Sequence, residues 1–205
     1  MHILPNFVEF HKYYRKTPII YLVEFHDVDK ILKRMYNDFT KNREIPRNKR
    51  DSMTIAFAGH SFIPSHDRVK EMVKQQIRNA LLPSEVVICY LGGRGDFDDI
   101  CACACRELKH EYSGIETVYV TPYLNSSERE KINEMQRSGL CDTSLYPPIE
   151  HTPPRFAISK RNEWMMTSAD LIIAYVNHNY GGAYQSVQVA KHRKKKIINI
   201  CDFGY

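Results

Sequence analysis

Asp170-Leu171-Ile172-Ile173-Ala174-Tyr175-Val176 is one acid followed by an unbroken apolar and aromatic run, and after Asn177 comes His178-Asn179-Tyr180-Gly181-Gly182. Successive side chains of a strand point to opposite faces of its sheet, so a strand that is apolar at every position has both faces buried. That is the signature of a parallel sheet covered by helices on both sides. Downstream, Gly181-Gly182 opens a helical stretch through Val187 and Ala190, and Lys196-Ile197-Ile198-Asn199-Ile200 supplies the next strand. Upstream, a helix over 156–167 is preceded by a loop with prolines at 147, 148, 153 and 154.

The same alternation extends back to Met53. Thr54-Ile55-Ala56-Phe57-Ala58 ends in Gly59, and Val86-Val87-Ile88-Cys89-Tyr90-Leu91 ends in Gly92-Gly93. Val69, Met72, Val73, Ile77, Ala80 and Leu81 form a helical stripe between them. Phe97, Ile100, Cys101, Ala104, Cys105 and Leu108 form a second, Thr117-Val118-Tyr119-Val120 is a third strand, and 125–137 reads as a polar helix. The expected fold is α/β, a Rossmann-like doubly wound and mainly parallel sheet over 53–205, with right-handed crossovers.

Residues 1–52 read as a separate extension. Val28, Ile31, Leu32, Met35, Tyr36 and Phe39 mark an amphipathic helix, and a polar, basic linker covers 41–50. The segment holds eleven Lys/Arg against seven Asp/Glu, a surplus of four within the net charge of +5. The rest is close to neutral, so nucleic acid is expected to be an unlikely partner. The extension's helix is expected to pack on the main domain or on a neighbouring subunit, which makes a homo-oligomer one expected assembly. No stretch is apolar enough over sufficient length to span a bilayer, and no leader pattern is recognised, so a cytoplasmic protein without a membrane partner is expected.

Six cysteines are present, three of them alternating as Cys101, Cys103 and Cys105. Helical positions two apart point about 200° from each other, so Cys103 faces away from its neighbours. No pair has the two-residue gap that zinc sites favour. Buried thiols are expected, with no metal and no cofactor.

Ligands of such sheets bind beyond the carboxyl ends of the strands. There the sequence places Gly59-His60-Ser61, Gly92-Gly93-Arg94-Gly95-Asp96-Phe97-Asp98, and Gly181-Gly182. Glycine at a strand-to-helix turn lets the backbone approach a phosphate, whose charge the helix N-terminus attracts. Asp96, Asp98 and Asp99 would repel a phosphate on their own helix, whereas a carboxylate there can accept from ribose hydroxyls. Sugar or base is therefore expected on that side, and phosphate near Gly181-Gly182 and Arg155 or Arg161. Trp164 reads as a core aromatic or a stacking surface for a base, and His60 as a turn residue or a donor to phosphate.

Together with Pro154-Arg155-Phe156-Ala157-Ile158, Arg161-Asn162-Glu163-Trp164-Met165 and Ser168-Ala169-Asp170-Leu171-Ile172, these motifs resemble the YpsA-like branch of the SLOG superfamily. That is the Rossmann-like group related to the DNA-processing protein DprA and to the LOG phosphoribohydrolases. The resemblance covers about 53–202, and it implies a nucleotide-type pocket formed by Gly59, His60, Gly92, Gly93, Asp98, Arg161, Asn162, Trp164, Gly181 and Gly182; Arg94 and Arg155 are added as ligand contacts. Binding or sensing of a nucleotide-type molecule is the first expectation. An N-glycosidic hydrolase is the alternative, and a DprA-like single-stranded DNA binder is a more distant one. The hydrolase relatives carry a glutamate in the first turns after Pro-Gly-Gly-x-Gly-Thr. This chain has none there, and only Asp98 or Asp99 could stand in. Turnover is left open.

Overall fold

The computed structural model describes residues 52–81 and 86–203. The expected helix and basic linker of the extension lie outside the described residues. So does any packing on a second subunit.

Strand β1 (Ser52–Gly59) leads into helix α1 (His66–Leu81), followed by β2 (Val86–Leu91), α2 (Asp96–Lys109) and β3 (Ile115–Val120). Then come α3 (Ser126–Arg137), β4 (Thr143–Leu145), a 3₁₀ turn (Pro154–Phe156) and α4 (Ala157–Ser168). Finally β5 (Leu171–Tyr175), α5 (Gly181–His192) and β6 (Lys196–Asn199) lead into a last 3₁₀ turn (Ile200–Phe203). The strands form one six-stranded sheet in the order β4-β3-β2-β1-β5-β6, and every pairing is parallel.

Alternation along β1 shows how both faces are filled. Ile55 and Phe57 join a core with Val73 and Ile77 of α1, Cys101 and Cys105 of α2, and Met135 of α3. Ala56 and Ala58 face the other way, onto Met165 and Met166 of α4 and Val187 and Ala190 of α5. The small residues of β1 lie on that second face, where α4 and α5 both approach the strand. This is the α/β, Rossmann-like architecture expected. Strand β4 was not anticipated: three half-buried residues with one leucine carry no apolar run to read.

Cys101 and Cys105 are buried and Cys103 is less so, as the helical stripe requires. The basic run 191–196 falls at the C-terminal end of α5, where the helix dipole favours cations. No described helix is long and apolar enough to cross a membrane. Among the described residues no group of three His, Cys, Asp or Glu side chains is placed to hold a metal ion.

The strand order fixes where a ligand can enter. The chain steps from β1 through β2 and β3 to β4 in one direction, then returns past β1 to place β5 and β6 on its other side. The loops after β1 and β5 therefore lead to helices on opposite faces and part above the sheet, leaving a crevice at this switch point.

Candidate functional site

A cleft of about 720 Å³ opens at that crevice. Of the residues expected at a ligand site, Gly59, His60, Gly92, Arg94, Asp98, Arg161, Asn162, Gly181 and Gly182 line it. Gly93, Arg155 and Trp164 do not. Helix α4 contributes Ile158, Arg161, Asn162 and Met165, which recur at i, i+3, i+4 and i+7 and so share one face. Trp164 lies off that face, half-buried against Tyr90 with ring centroids 5.4 Å apart. Arg155 sits exposed on the 3₁₀ turn, its guanidinium 4.7 Å from the centre of its neighbour Phe156's ring.

The glycines of the cleft divide into two kinds. A Cβ at Gly59 would lie 2.2 Å from the Phe97 ring, so this glycine lets α2 pack directly on the end of β1. A Cβ at Gly92 would meet Asp98 Oδ2 at 2.7 Å and Arg161 Nη1 at 2.8 Å. Gly93 has φ +63° and would press on Tyr119 at 2.6 Å. The Gly92-Gly93 turn is thus filled by the protein's own side chains, and Gly93 is turned away from the cleft. Gly181 and Gly182 differ: a Cβ at either meets no atom within 4 Å. The glycine pair with free space above it is the second.

Charge divides the two helix ends in the same way. The first turn of α2 carries Asp96, Asp98 and Asp99. Asp96 Oδ2 accepts from the Ile63 N–H at 2.9 Å and lies 3.3 Å from His66 Nε2, which ties down the loop after β1. The first turn of α5 carries no acid, and Tyr180 at its N-cap makes no side-chain capping bond. The first N–H groups of a helix have no intrahelical partner and carry about half a positive charge between them. At α5 that partial charge lines the cleft with no acid in the helix's own first turn to offset it.

Asp98 and Arg161 approach each other beside Gly92. Arg161 is 1% exposed and donates through Nη1 to Gly92 O at 2.7 Å and Val120 O at 3.1 Å, while its Nε has no hydrogen-bond partner. It therefore ties α4 to the ends of β2 and β3, and burial lowers its pKa. The Asp98 carboxylate accepts from the Arg94 N–H at 2.8 Å. Burial pushes its pKa up to about 6, against the pull of that N–H and of Arg161. Arg94 is held in turn by Glu128, whose carboxylate also accepts from Tyr119 Oη at 2.8 Å. Lys131 Nζ donates to Gly93 O. The phosphate-side guanidinium expected at Arg161 is thus engaged with backbone carbonyls and not with Asp170, which accepts from the Thr54 N–H instead.

The loop after β5 adds residues that the sequence reading gave no role. Asn177, His178 and Tyr180 line the cleft, as do Ser61 and Phe62 from the loop after β1. His60 Nε2 accepts from the Asn177 N–H at 3.1 Å, so the neutral ring carries its proton on Nδ1. Burial, then the neighbouring His178, lowers the pKa of His60. The His60 and His178 rings stack at 3.7 Å, and those of His178 and Tyr180 at 3.9 Å. A polar, aromatic stretch directly before Gly181-Gly182 was the signal available; its partner His60 lies 117 residues from Asn177 in sequence, and no local pattern links them.

No protein-family model and no curated protein matches this chain. Among solved structures it is similar to that of DNA processing protein A from Helicobacter pylori, a study of the single-stranded DNA binding mode of that protein. The TM-score is 0.47 and the identity 14%, over 71% of this chain and 63% of that one, so this chain spans less than two thirds of that protein's chain. Beside this finding the expectation that nucleic acid is an unlikely partner is corrected. It rested on the near-neutral charge of 53–205, which is an average over the whole surface and excludes no local contact.

Proposed function

We propose that this chain is a YpsA-like member of the SLOG superfamily that binds a nucleotide or nucleotide-derived ligand in the cleft between the ends of β1, β2 and β5. The phosphate lies at the N-terminus of α5, over Gly181 and Gly182. The sugar lies across the cleft beside Asp98, within a ring of contacts from Gly59, His60, Gly92, Arg94, Arg161 and Asn162. The single observation that carries the reading is the start of α5, which is uncapped by any side chain, free of acids, and headed by two glycines with clear space above them. Backbone N–H groups so arranged suit an anion.

Asp98 favours a second reading. A carboxyl with a pKa near 6 on the cleft wall suits general acid–base work at neutral pH, as cleavage of an N-glycosidic bond requires. One experiment addresses both readings. The purified protein is searched by mass spectrometry for retained nucleotides and oligonucleotides, then incubated with the four ribonucleoside 5′-monophosphates. Binding without release of free base is expected. Base release that Asp98→Asn abolishes would replace the binding reading with the hydrolytic one, and failure to retain or bind any of these molecules would overturn both.

A further inference from the structure

Phe62 and Tyr180 are 76% and 67% exposed, well above the other exposed large apolar side chains among the described residues. Both line the same cleft. Single exposed aromatics need no explanation, but two on one cleft, beside a helix end suited to an anion, do. Tyr180 is also the outer member of a column. Behind it stands His178 at 3.9 Å and 17°, and behind that His60 at 3.7 Å and 20°.

The column is held from within. His60 is fixed by the Asn177 N–H on its Nε2. The His178 Nδ1 faces the Tyr180 carbonyl oxygen at 3.1 Å, so it carries a proton and donates to it. The inner face of the Tyr180 ring is therefore covered and its plane set, while most of the side chain stays open. A ring ordered in advance loses little freedom when a flat partner lands on it, which favours binding.

We propose that Tyr180 is the base-recognition plate of the ligand site: the nucleobase of the bound nucleotide stacks on its outer face as the fourth ring of the column, with Phe62 as a second aromatic surface at the same rim. Every base has a π-face, so such a plate selects for a base without selecting which one. The inference rests on the nucleotide reading above and adds the part of the ligand that a phosphate and sugar site leaves unspecified.

The test compares probes with and without a base. Wild-type protein, Tyr180→Ala, Tyr180→Phe and Phe62→Ala are titrated calorimetrically with each ribonucleoside 5′-monophosphate and with ribose 5-phosphate. Tyr180 is exposed and makes no side-chain cap, so truncation leaves the fold intact, and circular dichroism verifies this. Tyr180→Ala is expected to weaken the monophosphates roughly five- to a hundredfold and to change ribose 5-phosphate by less than about twofold. Tyr180→Phe keeps the ring and should bind like wild type, and Phe62→Ala should show a smaller loss of the same kind. Equal losses for both kinds of probe, or none, would overturn the stacking role while leaving the phosphate site standing. If wild-type protein binds neither kind, the nucleotide reading itself fails and takes this inference with it.

Discussion

Asp98 works against the fold at neutral pH. Its pKa is raised from 3.8 to about 6 because burial in the wall between Gly92 and Arg161 disfavours the charged form. For an acid whose folded pKa lies above its unfolded one, the stability it contributes is fully present below the unfolded value and is lost as pH rises through the folded one. Asp98→Asn keeps an oxygen to accept the Arg94 N–H and removes the charge. It should raise stability at pH 7 by on the order of 1–3 kcal/mol and flatten the dependence between about pH 4 and pH 6. Urea unfolding over a pH series measures this; a variant no more stable than wild type at pH 7 would contradict the desolvated carboxylate. His60 acts in the opposite sense. Its folded pKa lies below 6.5, so its contribution is fully present above that value and is lost as pH falls toward the folded one. A protonated His60 can no longer accept from the Asn177 N–H, so the loss of stability at acid pH is expected to persist in the Asp98→Asn variant on the same urea series.

At the scale of elements, Arg161 is the tie between α4 and the ends of β2 and β3. Both of its hydrogen bonds come from one nitrogen, Nη1, which reaches the Gly92 and Val120 carbonyls from the far end of the side chain. A lysine ammonium sits one bond closer to the helix and falls short of that position. Arg161→Lys should therefore destabilise the protein by roughly 1–3 kcal/mol, read as a fall in Tm, because a buried acceptor left unpaired costs that much. An unchanged Tm would show that the carbonyls find other partners. This element also marks the limit of what the sequence could disclose. The apolar runs of β1, β2, β3 and β5 were legible because a strand buried on both faces must be apolar throughout. The use of Gly92 and Gly93 was not. A glycine pair at a turn reads alike whether a phosphate, an arginine 69 residues away or a tyrosine from the next strand fills the space above it. Strand β4 escaped notice because three residues pairing at the sheet edge need no apolar pattern.

For the molecule as a whole, the order β4-β3-β2-β1-β5-β6 places the switch point between β1 and β5, and the cleft forms there. The alternation of strands and helices was enough to expect a cleft at the carboxyl ends. Which of the two glycine pairs keeps free space above it depends on contacts between residues far apart in sequence. On the proposed reading α5 is the anion end of the site, and its first turn is the place to challenge the account. A Cβ at position 182 meets open space, and a carboxylate in this first turn is favoured by the helix dipole, so Gly182→Asp should fold as well as wild type or slightly better, by about 0.3–1 kcal/mol. It also sets a carboxylate where the phosphate belongs. Calorimetric titration of this variant with a matched nucleoside 5′-monophosphate and nucleoside is the most direct test. The account predicts at least roughly a tenfold loss for the monophosphate, about 1.4 kcal/mol, with nucleoside affinity nearly unchanged. Undiminished monophosphate binding by the folded variant, or equal losses for the two ligands, would contradict it.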